Sequence, residues 1–72
     1  MPSIDIQVLD GVFTDAEKAQ ILTRITEAFG SVAGQTIAAG TSVRIHEIRS
    51  GSWCYAGQVL TTDMAREMKA RG

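Results

Sequence analysis

The sequence predicts an α+β fold: a single βαβ unit with parallel strands, extended by a short C-terminal hairpin arm and a helical turn, and assembled into an oligomer. Three observations predict it. Residues 3–9 and 41–48 each alternate in polarity, the period of a half-buried strand. Between them runs a capped stretch of helical periodicity. The chain has 72 residues, 44% of them hydrophobic, and so carries more apolar surface than one small subunit can cover.

The first strand, Ser3 to Leu9, sets Ile4, Ile6 and Val8 on one face and Ser3, Asp5, Gln7 and Leu9 on the other. Asp10-Gly11 is a turn signal that ends it. Thr14-Asp15-Ala16-Glu17 then fits a capping box, in which the Thr14 hydroxyl accepts from the Glu17 amide and the Glu17 carboxylate accepts from the Thr14 amide. Phe13 before the cap and Lys18 at the staple position supply half of a hydrophobic staple. Ile21, Leu22, Ile25, Ala28 and Phe29 form the apolar stripe of a helix lying on a sheet, and Gly30 is expected to end it. Residues 31–40 are small and uncharged, a connector with one helical turn around Ile37.

In the second strand, Val43, Ile45 and Glu47 face one way and Ser42, Arg44, His46 and Ile48 the other. A helix between two strands makes them parallel neighbours joined by a right-handed crossover. Two strands alone are not a stable sheet, so their edges are expected to pair with another subunit. Arg49 to Ser52 reads as a turn, Trp53 to Leu60 as an aromatic loop entering a hairpin arm, and Thr62-Asp63 as the cap of a final helical turn or two, Met64 to Ala70. Nothing divides the chain, which reads as one domain over 1–72.

Composition excludes several function classes. A net charge of -1 leaves no electrostatic footprint for nucleic acid or an anionic membrane. There is no signal-like start and no run long enough to span a bilayer, which makes the cytoplasm the expected compartment. Cys54 is the only cysteine and His46 the only histidine, so neither a disulfide framework nor a metal cluster is expected. Cys54 reads as a small packing residue and His46 as a hydrogen-bonded interior or interface residue.

Pro2 is the candidate base. Methionine is usually removed before proline, and removal of Met1 would turn Pro2 into a secondary amine at the mouth of the first strand. An α-amino group ordinarily titrates at about 7.7–8.0, and apolar surroundings or a nearby cation lower that. A one-base proton shuttle needs such an amine, an acceptor for developing enolate charge and a dry wall. Arg44 is suited to hold a planar carboxylate in two parallel hydrogen bonds, or to pair structurally with Glu47 or Asp5. Trp53 and Tyr55 suit an apolar wall or a subunit interface.

The pattern resembles the 4-oxalocrotonate tautomerase family of the tautomerase superfamily. The residues that carry the resemblance are Met1-Pro2 leading into a strand, the turn at Asp10-Gly11, the helix from Thr14 to Phe29, Thr41-Ser42-Val43-Arg44-Ile45 opening the second strand, and Gly51 followed by an aromatic segment. The resemblance implies hexamers, trimers of βαβ dimers, with active sites where subunits meet. It implies a cofactor-independent isomerase acting on a small 2-oxo or enol carboxylic acid. Pro2 would match the general base, Arg44 the arginine that binds substrate from a neighbouring subunit, and Trp53 the active-site aromatic, with Tyr55 as its alternative.

One residue departs from that pattern. The family's arginine after the strand-end glycine is absent, because Gly11 is followed by Val12 and Phe13. Arg24 and Arg49 are the candidates to replace it. A superfamily hydratase or dehalogenase with protonated Pro2 as acid, and a βαβ oligomerisation module without a working site, are the alternative readings.

Overall fold

The computed structural model describes residues 1–72 in the order β1 (Ser3–Leu9), α1 (Asp15–Ala33), α2 (Gln35–Ala38), β2 (Ser42–Ile48), β3 (Trp53–Tyr55), β4 (Gln58–Leu60) and α3 (Thr62–Ala70). β1 and β2 are parallel and pair Ile4 with Val43, Asp5 with Arg44 and Ile6 with Ile45. Ile4, Ile6, Val8, Val43 and Ile45 therefore share the face under α1. Ser3, Asp5, Gln7, Ser42, Arg44 and His46 share the other face and are all exposed.

The α1 start follows from its sequence. Thr14 is the N-cap, its hydroxyl accepting from the Glu17 amide at 3.1 Å while Glu17 Oε1 accepts from the Thr14 amide at 2.9 Å. Ile21, Leu22 and Ile25 turn half-buried toward the sheet, whereas Ala28 and Phe29, expected on the same stripe, are exposed in the single chain. The helix also runs past Gly30 to Ala33, and Gly34 caps it through an N–H bond to the Gly30 carbonyl at 2.9 Å.

Gly30 serves close approach instead. A Cβ built there would lie 2.7 Å from Ala38 Cβ on α2. Alanine in a helix interior is ordinarily favoured by about 1 kcal/mol over glycine, but overpacking costs about 1–3 kcal/mol. Gly30→Ala is therefore expected to destabilise the fold by about 1 kcal/mol, read as a lower urea midpoint. A raised midpoint would show that α2 yields freely.

The C-terminal arm is an antiparallel hairpin pairing Trp53 with Leu60 and Tyr55 with Gln58. Its two-residue loop has positive φ at both positions, 51° at Ala56 and 84° at Gly57, the backbone of a primed turn that matches strand twist. α3 is longer than the turn or two expected, and its cap is Thr61, one residue earlier, whose hydroxyl accepts from the Met64 amide at 3.3 Å. Thr62, expected at the cap, is the first helical residue, and its amide donates to Ser50 Oγ at 2.9 Å.

The chain has almost no interior. Only Leu9 and Val12 are buried. The radius of gyration is 14.4 Å, against roughly 11 Å for a compact domain of this length. The accessible surface is 5259 Å², against roughly 4300 Å² for a folded monomer of this mass. The excess is close to the roughly 800 Å² that each partner contributes to a standard interface. Both sheets are two-stranded, with the free edges of β1 and β2 unpaired.

Candidate active site

Two regions at opposite ends of β1 hold the residues singled out by sequence. At the leading end Pro2 is half-buried, and its carbonyl accepts from the Ser42 amide at 2.9 Å, which draws the start of β1 against β2. With Met1 attached the Pro2 nitrogen is an amide, and the Met1 side chain lies against Gly40.

Arg44 stands across from Asp5 on the exposed face. Its Nη1 donates to Ser3 Oγ at 2.6 Å and to Asp5 Oδ1 at 2.9 Å. His46 Nε2 lies 3.2 Å from the same carboxylate oxygen. Of the two ion pairs open to Arg44, the structure forms that with Asp5; Glu47 faces α1 and pairs with Lys18 at 2.9 Å. The Nε and Nη2 side of the guanidinium has no partner within the chain. His46, expected in an interior or interface, has a half-exposed side chain in the single chain.

The trailing end of β1 is apolar. Val8, Leu9, Val12, Phe13, Trp53 and Met68 line an open groove of about 530 Å³. Trp53 is half-buried there, while Tyr55 is 74% exposed and outside the lining. Trp53 thus lies near the end of β1 opposite Pro2, separated by seven strand residues at roughly 3.3 Å each. No single chain brings Pro2 and Trp53 together.

α3 fixes the loop beneath the groove by taking three successive carbonyls. Thr62 Oγ1 donates to Asp10 O at 2.6 Å, Arg66 Nε to Gly11 O at 2.9 Å and Lys69 Nζ to Val12 O at 3.0 Å. Residues 62, 66 and 69 lie on one helix face, so the spacing that makes the helix also makes the contact. Lys69 additionally reaches Glu17 Oε1 at 2.6 Å and sits 5.1 Å from the Phe13 ring centroid, a cation–π contact in place of the missing half of the staple. Arg66 and Lys69 were not among the residues indicated by sequence. Arg24 and Arg49 line neither this groove nor the one beside it.

These ion pairs set the charge states. Hydrogen bonds from Arg44 and then His46 hold the Asp5 carboxyl below its ordinary value. Lys69 and the Thr14 amide do the same for Glu17, and Lys18 and the Gly11 amide for Glu47. Carboxylates lowered in the folded state contribute stability above their ordinary values near 4 and lose it as pH falls through the lowered ones. The thermal midpoint is therefore expected to hold from pH 7 to 5 and drop below about pH 4. A flat midpoint to pH 3 would contradict this. Lys18, raised by its bond to Glu47, works in the opposite sense, contributing below its ordinary value and losing that as pH rises through the raised one.

No group of three or more His, Cys, Asp or Glu residues could hold a metal ion, and no helix is long and apolar enough to cross a membrane. The architecture in hand is a parallel βαβ unit with a hairpin arm and a C-terminal helix. The sequence matches the family model described as Tautomerase enzyme over residues 2–63, and the chain belongs to that family.

Solved structures agree with the fold. The chain is similar to YwhB, a homologue of 4-oxalocrotonate tautomerase, at 28% identity and TM-score 0.71, covering 81% of this chain and 92% of that one. An apo unfused 4-OT aligns at 27% identity and TM-score 0.73, covering 82% and 93%. DmpI from Helicobacter pylori is 19% identical with TM-score 0.71 and covers 99% and 98%, a likeness of fold that includes the C-terminal segment. Among curated proteins no sequence matches.

Proposed function

We propose that the chain is a cofactor-independent tautomerase that shifts a proton on a small 2-oxo or enol carboxylic acid, with Pro2 as general base once Met1 is removed. The observation that carries the reading is the placement of Arg44: its Nη1 is anchored on Ser3 and Asp5 beside the start of β1, and its Nε and Nη2 side is open. That open side is the geometry a carboxylate takes in two parallel hydrogen bonds.

Self-association through the β1 edge completes the site. A two-fold axis that pairs a strand edge with its own copy makes the strands antiparallel, so the first residue of one β1 meets the last residues of the other. Pro2 of one copy then lies beside the Trp53 groove of its partner. The apolar wall disfavours the charged amine and strengthens its interactions with substrate. Arg44, presented by a neighbouring copy as the family resemblance implies, holds the carboxylate and draws electron density toward the oxygen that gains charge. The Pro2 nitrogen takes a proton from the enol hydroxyl or the acidic carbon and returns it along the conjugated chain. Assembly into a hexamer is the form of association the resemblance implies.

The exposed Arg44–Asp5 pair, at 2.9 Å, favours a second reading in which the pair is structural and the chain an assembly module. The mass of the purified chain and ketonisation of phenylenolpyruvate separate the two. Loss of the Met1 mass with turnover above the buffer rate is expected; retained Met1 with no turnover supports the module.

A further inference from the structure

We infer that Asp5 is a positioning residue for Arg44: with Ser3 and His46 it forms a frame on the exposed face of the sheet that holds the guanidinium by one nitrogen and leaves its other edge free for a carboxylate. This rests on the reading of Pro2 and Arg44 given above.

The register of the strands builds the frame. Asp5 of β1 lies directly across from Arg44 of β2, and Ser3 and His46 are the next residues on the same face of their own strands. One carboxylate oxygen, Asp5 Oδ1, accepts from Arg44 Nη1 at 2.9 Å and lies 3.2 Å from His46 Nε2. Ser3 Oγ accepts from the same Nη1 at 2.6 Å. Both protons of that nitrogen are thereby engaged, whereas Nε and Nη2, the side-on edge of the fork, stay unbonded. Asp5 pairs with no cation other than Arg44 and His46, and Arg44 with no carboxylate other than Asp5.

The frame orders a side chain more than it stabilises a fold. The Asp5, Arg44 and His46 side chains are all about half-exposed, and an ion pair so exposed adds little to stability. An arginine has many rotamers, however, and fixing it before substrate arrives removes an ordering cost that binding would otherwise carry. Hydrogen bonds from Arg44 and then His46 hold the Asp5 carboxyl below its ordinary value, so the anchor is charged at neutral pH. Glu47, the carboxylate of β2, is bonded to Lys18 on the α1 side, which leaves Asp5 without a rival on this face.

The test measures kcat and KM for phenylenolpyruvate in a double-mutant cycle of Asp5→Ala and Arg44→Ala, with sedimentation to confirm that each variant assembles as the wild type does. Asp5→Ala is expected to raise KM roughly 2- to 10-fold with a smaller change in kcat, the worth of ordering one long side chain in advance. In the Arg44→Ala background the same substitution should change nothing, because Asp5 acts through Arg44. Asp5→Asn keeps an acceptor for Nη1 and should recover most of the loss. An unchanged KM in Asp5→Ala, or an equal rise in both backgrounds, overturns the inference. So does a larger rise in His46→Ala than in Asp5→Ala, which would move the role to the imidazole. If Asp5→Ala does not assemble, Asp5→Val, apolar but strand-forming, takes its place in the cycle. If the wild-type chain does not turn over the enol, the tautomerase reading fails by itself. Calorimetric titration with cinnamate, an unreactive planar carboxylate, then decides the Asp5 question: an affinity roughly 2- to 10-fold weaker in Asp5→Ala supports the frame, and equal affinity, or no binding to the wild type, overturns it.

Discussion

Replacing Pro2 by alanine is expected to slow ketonisation of an enol acid by roughly 10²–10⁴-fold, the range a positioned general base contributes. Alanine is small enough that Met1 should still be removed, so the variant would keep an amino terminus but exchange a ring-fixed secondary amine for a mobile primary one. The wild-type kcat/KM is expected to rise with pH as the amine loses its proton and to level off above its pKa, because only the free amine accepts a proton. Mass spectrometry fixes the N-terminus of each form, and circular dichroism checks that β1 remains a strand. Equal rates in the two proteins would remove Pro2 from the chemistry while leaving the fold assignment intact.

The second large effect concerns assembly. Two buried residues in a chain of 72 cannot offset the loss of conformational freedom, which runs to about 1–2 kcal/mol per residue. Val59 and Met68 are 55% and 61% exposed, and Phe29 is 38% exposed, although each is a side chain worth roughly 1.5–3 kcal/mol when fully buried. The chain is therefore expected to sediment as a multiple of 7.7 kDa. Its thermal midpoint should rise with protein concentration, since binding of other copies to the folded form adds directly to stability. A folded species at monomer mass with a concentration-independent midpoint would refute the argument from exposed apolar surface.

Sequence and structure agree most closely where a periodic signal and a capping signal coincide. β1, β2 and the Thr14 cap fall where they were expected, because a strand with one covered face and a capping box both leave their whole physical cause in adjacent residues. Gly30 was less legible: a glycine that ends a helix and one that lets a second helix approach look identical until Ala38 is seen beside it. The stripe ran out early for a related reason: Ala28 and Phe29 continue its spacing but are exposed in the single chain. The bond from Arg66 to the Gly11 carbonyl was invisible in the sequence because the two residues lie 55 positions apart. The spacing of Thr62, Arg66 and Lys69 on one helix face was there to be read, but nothing local says which loop that face meets.

The way α3 grips the loop has a consequence for how this protein can change. All three of its anchors, Asp10, Gly11 and Val12, are held by their main-chain oxygens. Every residue type presents that oxygen, so the helix stays attached whichever side chains occupy positions 10 and 12. A mutation at Val12 is then felt through its side chain, in the groove and in the small buried core, while the helix keeps its station. The lining of the groove and the attachment of the helix are thereby uncoupled at these two positions.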